Sequence, residues 1–162
     1  MAASSTIELR PADEGDVPAL IRLLRRSWLV AWAPELPFEA VQAFASFDPA
    51  RSHAEAAWRD FTVAIRSGDS SLVGMVQTTD DVVDALHVDP ACWNGGVGTR
   101  LLDAAERRIA RAHPMARLEV RHFNTRARAF YERRGWVETR RYAGTECGSP
   151  VETIEMRKVL RT

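Results

Sequence analysis

The sequence predicts an α/β fold, a mixed sheet flanked by helices, on three observations. Its early strands lie close enough to pair as hairpins, its later strands are separated by amphipathic helices, and a glycine-rich turn leads from strand to helix between them. At 162 residues, 46% of them hydrophobic and 27% charged, the chain suits one domain over residues 1–162 that buries a good core.

Ile7-Glu8-Leu9-Arg10 reads as an opening strand ended by Pro11. Asp16 is placed to cap a helix whose apolar positions Val17, Leu20, Ile21, Leu24 and Trp28 follow a helical period, with Arg22, Arg25 and Arg26 mostly off that stripe. Pro34 and Pro37 break the chain, a second helix spans roughly Phe38 to Phe47, and His53 to Asp60 suits a short third turn. Strands over Phe61–Ile65 and Leu72–Gln77 flank the turn Ser67-Gly68-Asp69-Ser70. The next strand runs from Asp81 to Val88. The glycine turn then opens a long helix, apolar at Leu101, Leu102, Ala105, Ile109 and Ala112, that ends near His113-Pro114. Arg117 to Phe123 is strand again. Asn124 caps a helix that Gly135 terminates, and two strands close the chain over Trp136–Tyr142 and Val151–Val159.

Charge and cysteine usage exclude several classes of function. The 22 basic residues balance 22 acidic ones, so nothing draws the whole chain to nucleic acid or an anionic membrane. Lys158 is the sole lysine, which removes lysine chemistry from most of the chain. Cys92 and Cys147 stand alone, and His53, His87, His113 and His122 form no ligand pattern, so no metal site is expected. Met1 to Thr6 lacks the apolar run of a signal peptide and no segment is long enough to span a bilayer; a cytoplasmic protein with reduced thiols is the expectation.

The chemistry concentrates at Leu86-His87-Val88-Asp89-Pro90 and Asn94-Gly95-Gly96-Val97-Gly98-Thr99. A helix start presents backbone N–H groups without internal partners and a partial positive charge, and glycines let a large anion approach them. Three phosphate-loop patterns compete for this turn. A Walker loop needs a lysine where Thr99-Arg100 stands, and a dinucleotide fingerprint needs a third glycine where Leu101 stands, although Glu119 lies at a suitable distance for a ribose-binding acid. Downstream, Asn124-Thr125-Arg126-Ala127-Arg128-Ala129-Phe130-Tyr131-Glu132-Arg133-Arg134-Gly135-Trp136 joins a cap, a helix and a stop.

At these two segments the chain resembles the GCN5-related N-acetyltransferase (GNAT) superfamily. Its cofactor loop has the form Q/R-x-x-G-x-G/A, which Trp93-Asn94-Gly95-Gly96-Val97-Gly98 matches except at the first position. Its following helix reads N-x-x-A-x-x-F-Y-x-x-x-G-F, matched from Asn124 to Gly135 with Trp136 as the closing aromatic. Ile7 to Ala12, with Asp16, is similar to the superfamily's opening. The resemblance implies a single domain whose mostly antiparallel sheet is splayed between strands 4 and 5, and transfer of an acetyl group from acetyl-CoA to an amine by direct attack.

By position, the resemblance puts the pantetheine arm along the backbone of Leu86 and Val88 and the pyrophosphate on the N–H groups from Asn94 to Thr99. Arg100, Arg126 and Arg128 are candidates for further phosphate contacts. Asn124 matches an asparagine near the cofactor arm, and a simple helix cap is compatible with that role. Tyr131 aligns with the tyrosine that protonates the departing thiolate in many members; periodicity alone reads it as a core aromatic. Glu119, in a Leu-Glu-Val-Arg segment shared with ribosomal-protein alanine acetyltransferases, is the first candidate for the base that deprotonates the amine, and Asp84 the second. Either carboxylate could instead serve in an ion pair with a nearby arginine.

Trp28 and Trp32 read as core packing at a place where the family walls its acceptor pocket. Arg133-Arg134 and Arg140-Arg141 read as solvated faces, and His87 as pointing away from the Leu86/Val88 face. The segment Trp28–Phe47 and a loop over Ala143–Pro150 should shape the acceptor pocket. The C-terminal edge strands could support a homodimer. A coenzyme A-binding module without catalysis, acting as a sensor or partner subunit, is the alternative.

Overall fold

The computed structural model describes residues 6–161. Seven strands form one sheet in the order β1-β2-β3-β4-β5-β7-β6. They are β1 (Ile7–Pro11), β2 (Phe61–Arg66), β3 (Leu72–Thr79), β4 (Val82–Val88), β5 (Met115–Arg121), β6 (Val137–Glu146) and β7 (Ser149–Val159). Every pairing is antiparallel except β4 with β5, which run parallel and meet only at Val82 with Arg117 and Val83 with Leu118. Beyond Val83 the two strands part, and that split organises the site.

Five α-helices cover the sheet: α1 (Val17–Ala31), α2 (Phe38–Phe47), α3 (Pro49–Ala57), α4 (Val97–Ala110) and α5 (Thr125–Arg133). The buried stripe Leu20, Ile21, Leu24 and Trp28 of α1 packs with Phe44, Ala54, Phe61, Val63 and Met75 into one core. On the opposite face Leu101, Leu102, Ala105 and Ile109 of α4 pack with Val76, Leu118, Val120, Tyr131, Trp136, Ile154 and Met156. Gly74 lets α4 sit this close: a Cβ there would stand 2.8 Å from Leu101 Cδ1 and 3.1 Å from the His87 carbonyl oxygen.

Several sequence expectations change in detail. Asp16 makes no side-chain cap on α1; its carboxylate instead accepts the Asp13 N–H at 2.8 Å and a two-pronged contact from Arg10. The third helix is longer than His53–Asp60 suggested, because Asp48 and Pro49 start it: the Asp48 carboxylate accepts the Arg51 N–H, and proline occupies the first turn. Ala143–Pro150 is almost entirely strand; the connection shrinks to Cys147 and Gly148, both with positive φ, the two-residue hairpin turn that matches strand twist. β5 runs from Met115 to Arg121 rather than from Arg117 to Phe123. Among the described residues no helix is long and apolar enough to cross a membrane.

Candidate active site

The loop before α4 leaves a run of backbone donors free. Asn94 and Gly96 both take left-handed backbone conformations, with φ of 66° and 83°, and Gly96 adopts it without a Cβ penalty. Among the described residues no backbone or side-chain acceptor takes the N–H groups of residues 94–99; the first hydrogen bond of the turn is Arg100 N–H to the Gly96 carbonyl at 3.1 Å. Successive N–H groups left free at a helix start make an anion-binding concavity. They open into a cavity of about 370 Å³ lined by Leu86, Val88, Asn94, Gly96, Val97, Gly98, Thr99, Asn124 and Tyr131. Gly95 alone of the predicted loop residues stays out of that lining.

Three arginines line this cavity, Arg126, Arg133 and Arg134, and no carboxylate does. The family's first-position Arg or Gln is missing, and Trp93 uses its place differently. Its indole N–H donates to the Val88 carbonyl at 3.0 Å, while the Arg126 guanidinium lies 3.9 Å from the ring centroid. Arg126 thus stands at the cavity on an aromatic platform. Arg100 turns away and donates to the Ile7 carbonyl, and Arg128 to the His122 carbonyl, so neither lines the cavity. Arg134 is not on a solvated face: it lies over the Phe130 ring, donates to Thr99 Oγ1 and keeps its Nε buried without a partner.

The split between β4 and β5 exposes a row of strand backbone. Asp89 N–H donates to the Val73 carbonyl, so by antiparallel alternation Leu86 and Val88 turn their own polar groups toward the split. The Val88 carbonyl is already taken by Trp93; the Val88 N–H and both groups of Leu86 remain. Asn124 Oδ1 accepts the Ala127 N–H at 3.2 Å, capping α5 at the mouth of the same cavity.

A second cavity, about 350 Å³, lies on the α1–α3 side and shares Trp32, Leu86, His87, Asn124, Ala127 and Tyr131 with the first. Asp84, Glu119, Arg121 and Glu146 line it. Gln77 pairs with Ala85 and Thr78 with Val83, which leaves Asp84 as the extra residue of a β-bulge, a device that re-aims a side chain. Burial raises the Asp84 carboxyl above its ordinary pKa. Glu119 follows Leu118 on β5, on the face opposite Leu118 and Val120. Neither Asp84 nor Glu119 has an ion-pair partner among the described residues, so the ion-pair alternative is not what this geometry shows.

Tyr131 joins the two cavities. It is 8% exposed, packs against Trp136, and burial pushes its phenol above the ordinary tyrosine range. It is a core aromatic, as its periodicity suggested, and it also lines both cavities. Its hydroxyl makes no side-chain hydrogen bond among the described residues, and its ring meets Phe130 and Trp136 edge-on. Trp28 and Trp32 likewise serve both purposes: Trp28 is buried and stacks on Phe44 at 3.9 Å, and both indoles line the second cavity.

Sequence reasoning missed three features. Glu146 accepts from Trp28 Nε1 at 3.0 Å and from Arg121 at 2.9 Å, tying the last hairpin to α1, and residues 25 and 118 apart leave no local signal for this. Glu155 is buried across from Glu119; Arg157, Thr139 and Arg140 surround it and hold its carboxyl below the usual range. The spacing of Glu155 and Arg157 on one strand face was the available clue. His87 does face away from Leu86 and Val88, but its Nδ1 meets Ser27 Oγ at 2.8 Å and burial pushes its imidazole down to about 4. Among the described residues no group of His, Cys, Asp or Glu is arranged to hold a metal.

Comparison with known proteins agrees with this geometry. No curated protein sequence matches the chain. A GCN5-related N-acetyltransferase from Rhodopseudomonas palustris superposes with a TM-score of 0.80 at 25% identity, covering 98% of this chain and 99% of that one. A PaiA N-acetyltransferase from Thermoplasma acidophilum, solved in complex with coenzyme A, gives 0.70 at 21% identity over 95% of this chain and 99% of its own. The ribosomal-protein-S18-alanine N-acetyltransferase from Escherichia coli gives 0.67 at 21% identity, covering 97% of this chain and 96% of that one. The last two likenesses show the fold alone. The model of the Acetyltransferase (GNAT) family matches residues 17–136, and the chain belongs to that family.

Proposed function

We propose that this protein is an acetyl-CoA-dependent N-acetyltransferase that moves the acetyl group directly to an amine while both substrates are bound. One observation carries the reading. Two cavities of opposite charge, one lined by three arginines and the other by unpaired carboxylates, meet at Tyr131. A polyanionic cofactor suits the first and a cationic acceptor the second.

Bound acetyl-CoA would supply a thioester whose carbonyl carbon an amine can attack. The N–H groups of residues 94–99 fit its diphosphate, with Arg126, Arg133 and Arg134 adding charge. Leu86 and Val88 offer strand-like partners for the pantetheine amides. Glu119, exposed to water, receives the proton of the acceptor ammonium and passes it on. Asp84, whose carboxyl is pushed above its ordinary pKa by burial, gains from a positive charge held beside it. Tyr131, a phenol that is protonated at neutral pH, donates to the departing sulfur. The free Cys92 and Cys147 suit a reducing compartment, and we place the enzyme in the cytoplasm.

The test is thiol release from acetyl-CoA across a panel of amines, comparing wild type with Tyr131→Phe. Removing a positioned proton donor lowers kcat by roughly 10²- to 10³-fold, while coenzyme A affinity stays within about twofold. Undiminished turnover in Tyr131→Phe would remove the phenol from the mechanism. Cofactor binding with no thiol release on any amine would instead identify a binding module.

A further inference from the structure

Resting on the acetyl-transfer reading, we infer that the acceptor is a small diamine: an alkyl or aryl chain with two amino groups and no carboxylate. The second cavity carries more negative charge than one reacting amine can use. Arg121 is its only full-time cation, and its hydrogen bonds go to Glu146 at 2.9 Å, Thr153 Oγ1 at 2.5 Å and the Thr145 carbonyl at 3.0 Å. The other Glu146 oxygen accepts from Trp28. That pair closes on itself. His53 is engaged by Gln77 at 2.7 Å and His87 by Ser27 at 2.8 Å. Asp84 and Glu119 are left without a counter-ion. They follow the last paired residues Val83 and Leu118, where the strands part, and both line the cavity.

A second observation points to a ligand independently of the carboxylates. Tyr131, more than nine-tenths buried and with no hydrogen bond to its hydroxyl among the described residues, lines the same cavity as Trp32 and the stacked pair Trp28 and Phe44. Aromatic faces sheath methylene groups and attract cations. The chemistry then sets the acceptor's charge. The reacting nitrogen must be neutral when it attacks: Glu119 takes the ammonium proton and passes it to water, the N–C bond forms as the C–S bond breaks, the sulfur takes the Tyr131 proton and leaves as a thiol, and the second proton shed by the nitrogen restores the phenol. The charge that anchors the acceptor must therefore sit elsewhere on it, and a second ammonium opposite Asp84 satisfies this. An acceptor carboxylate would find no free cation here and would face two like charges. A cavity of about 350 Å³ suits a short chain rather than a folded protein segment.

The experiment compares 1,4-diaminobutane, 1-aminobutane and 4-aminobutanoate, which share one reacting amine and chain length. Binding to the coenzyme A-loaded protein is measured by calorimetry and turnover by thiol release. The diamine should bind at least tenfold tighter than the monoamine and show at least tenfold higher kcat/KM, with no turnover of the amino acid. Asp84→Asn should bring the diamine-to-monoamine binding ratio to within about twofold of one. Equal binding of the diamine and monoamine to wild type, or preference for the amino acid, would overturn the diamine assignment while leaving acetyl transfer standing. Tight diamine binding without any thiol release would sustain the recognition and remove the catalytic reading on which the acetyl acceptor role depends.

Discussion

At the first position of the family's loop motif stands Trp93, and Arg126 from another element stacks on its ring. The loop position that carries Arg or Gln in relatives is an indole here, and a guanidinium from α5 stacks on it beside the anion loop. Arg126→Ala should weaken coenzyme A binding roughly tenfold, the effect of one lost charge-assisted hydrogen bond to phosphate. Trp93→Arg in that background should recover most of the loss, as titration calorimetry would show, whereas Arg100→Ala should leave affinity unchanged. His87 makes a prediction about pH and stability. Its imidazole titrates near 4 in the folded protein and near ~6.5 when unfolded. The folded state binds fewer protons between those values, so stability is lost as pH falls from 6.5 to about 4 and is steady above. About 3 kcal/mol is at stake. Thermal unfolding at pH 7 and pH 5 should show a steeper decline for wild type than for His87→Gln. Parallel declines would mean the imidazole is not desolvated as described.

At the scale of elements, β4 does most to make the site. It parts from β5 after one short ladder, carries Asp84 on a bulge and offers Leu86 and Val88 backbone to the split. Its neighbour β3 holds Gly74 beneath α4, where added side-chain volume meets the Leu101 methyl and the His87 carbonyl. Gly74→Ala should cost about 1–3 kcal/mol of stability as a lower denaturation midpoint, because the packed helix must shift. Most of the elements were legible from local chemistry. The stripe Leu20, Ile21, Leu24, Trp28 and the cap at Asn124 act within a few residues of where they are written, and both appear as expected. The misread places were of two kinds. Asp48-Pro49 and Cys147-Gly148 carried usable local signals, a cap with an N1 proline and a two-residue left-handed turn. The Asp84 bulge and the Glu146–Arg121–Trp28 tie depend on partners distant in sequence, so no window of the chain contains them. The motif led to loop residues and a tyrosine, Tyr131, that line one cavity, whereas the closing of Arg100 and Arg128 against carbonyls depends on packing alone.

For the molecule as a whole, a net charge of zero conceals a separation of charge that suits the proposed transfer. Arginines gather where α4 and α5 meet the loop, and uncompensated carboxylates gather beneath α1–α3, with one buried phenol between them. If the two arms work as one site, a substitution in either should leave binding in the other nearly intact while lowering turnover. Glu119→Gln should thus reduce kcat by roughly 10²-fold or more, typical of losing a general base, with coenzyme A affinity within twofold by calorimetry. The measurement that tests the account most directly is a crystal structure with coenzyme A bound. The account predicts the diphosphate on the N–H groups of residues 94–99 and the thiol beside the Tyr131 hydroxyl, in the gap between β4 and β5. Coenzyme A bound elsewhere, or that gap left closed at saturating ligand, would contradict it.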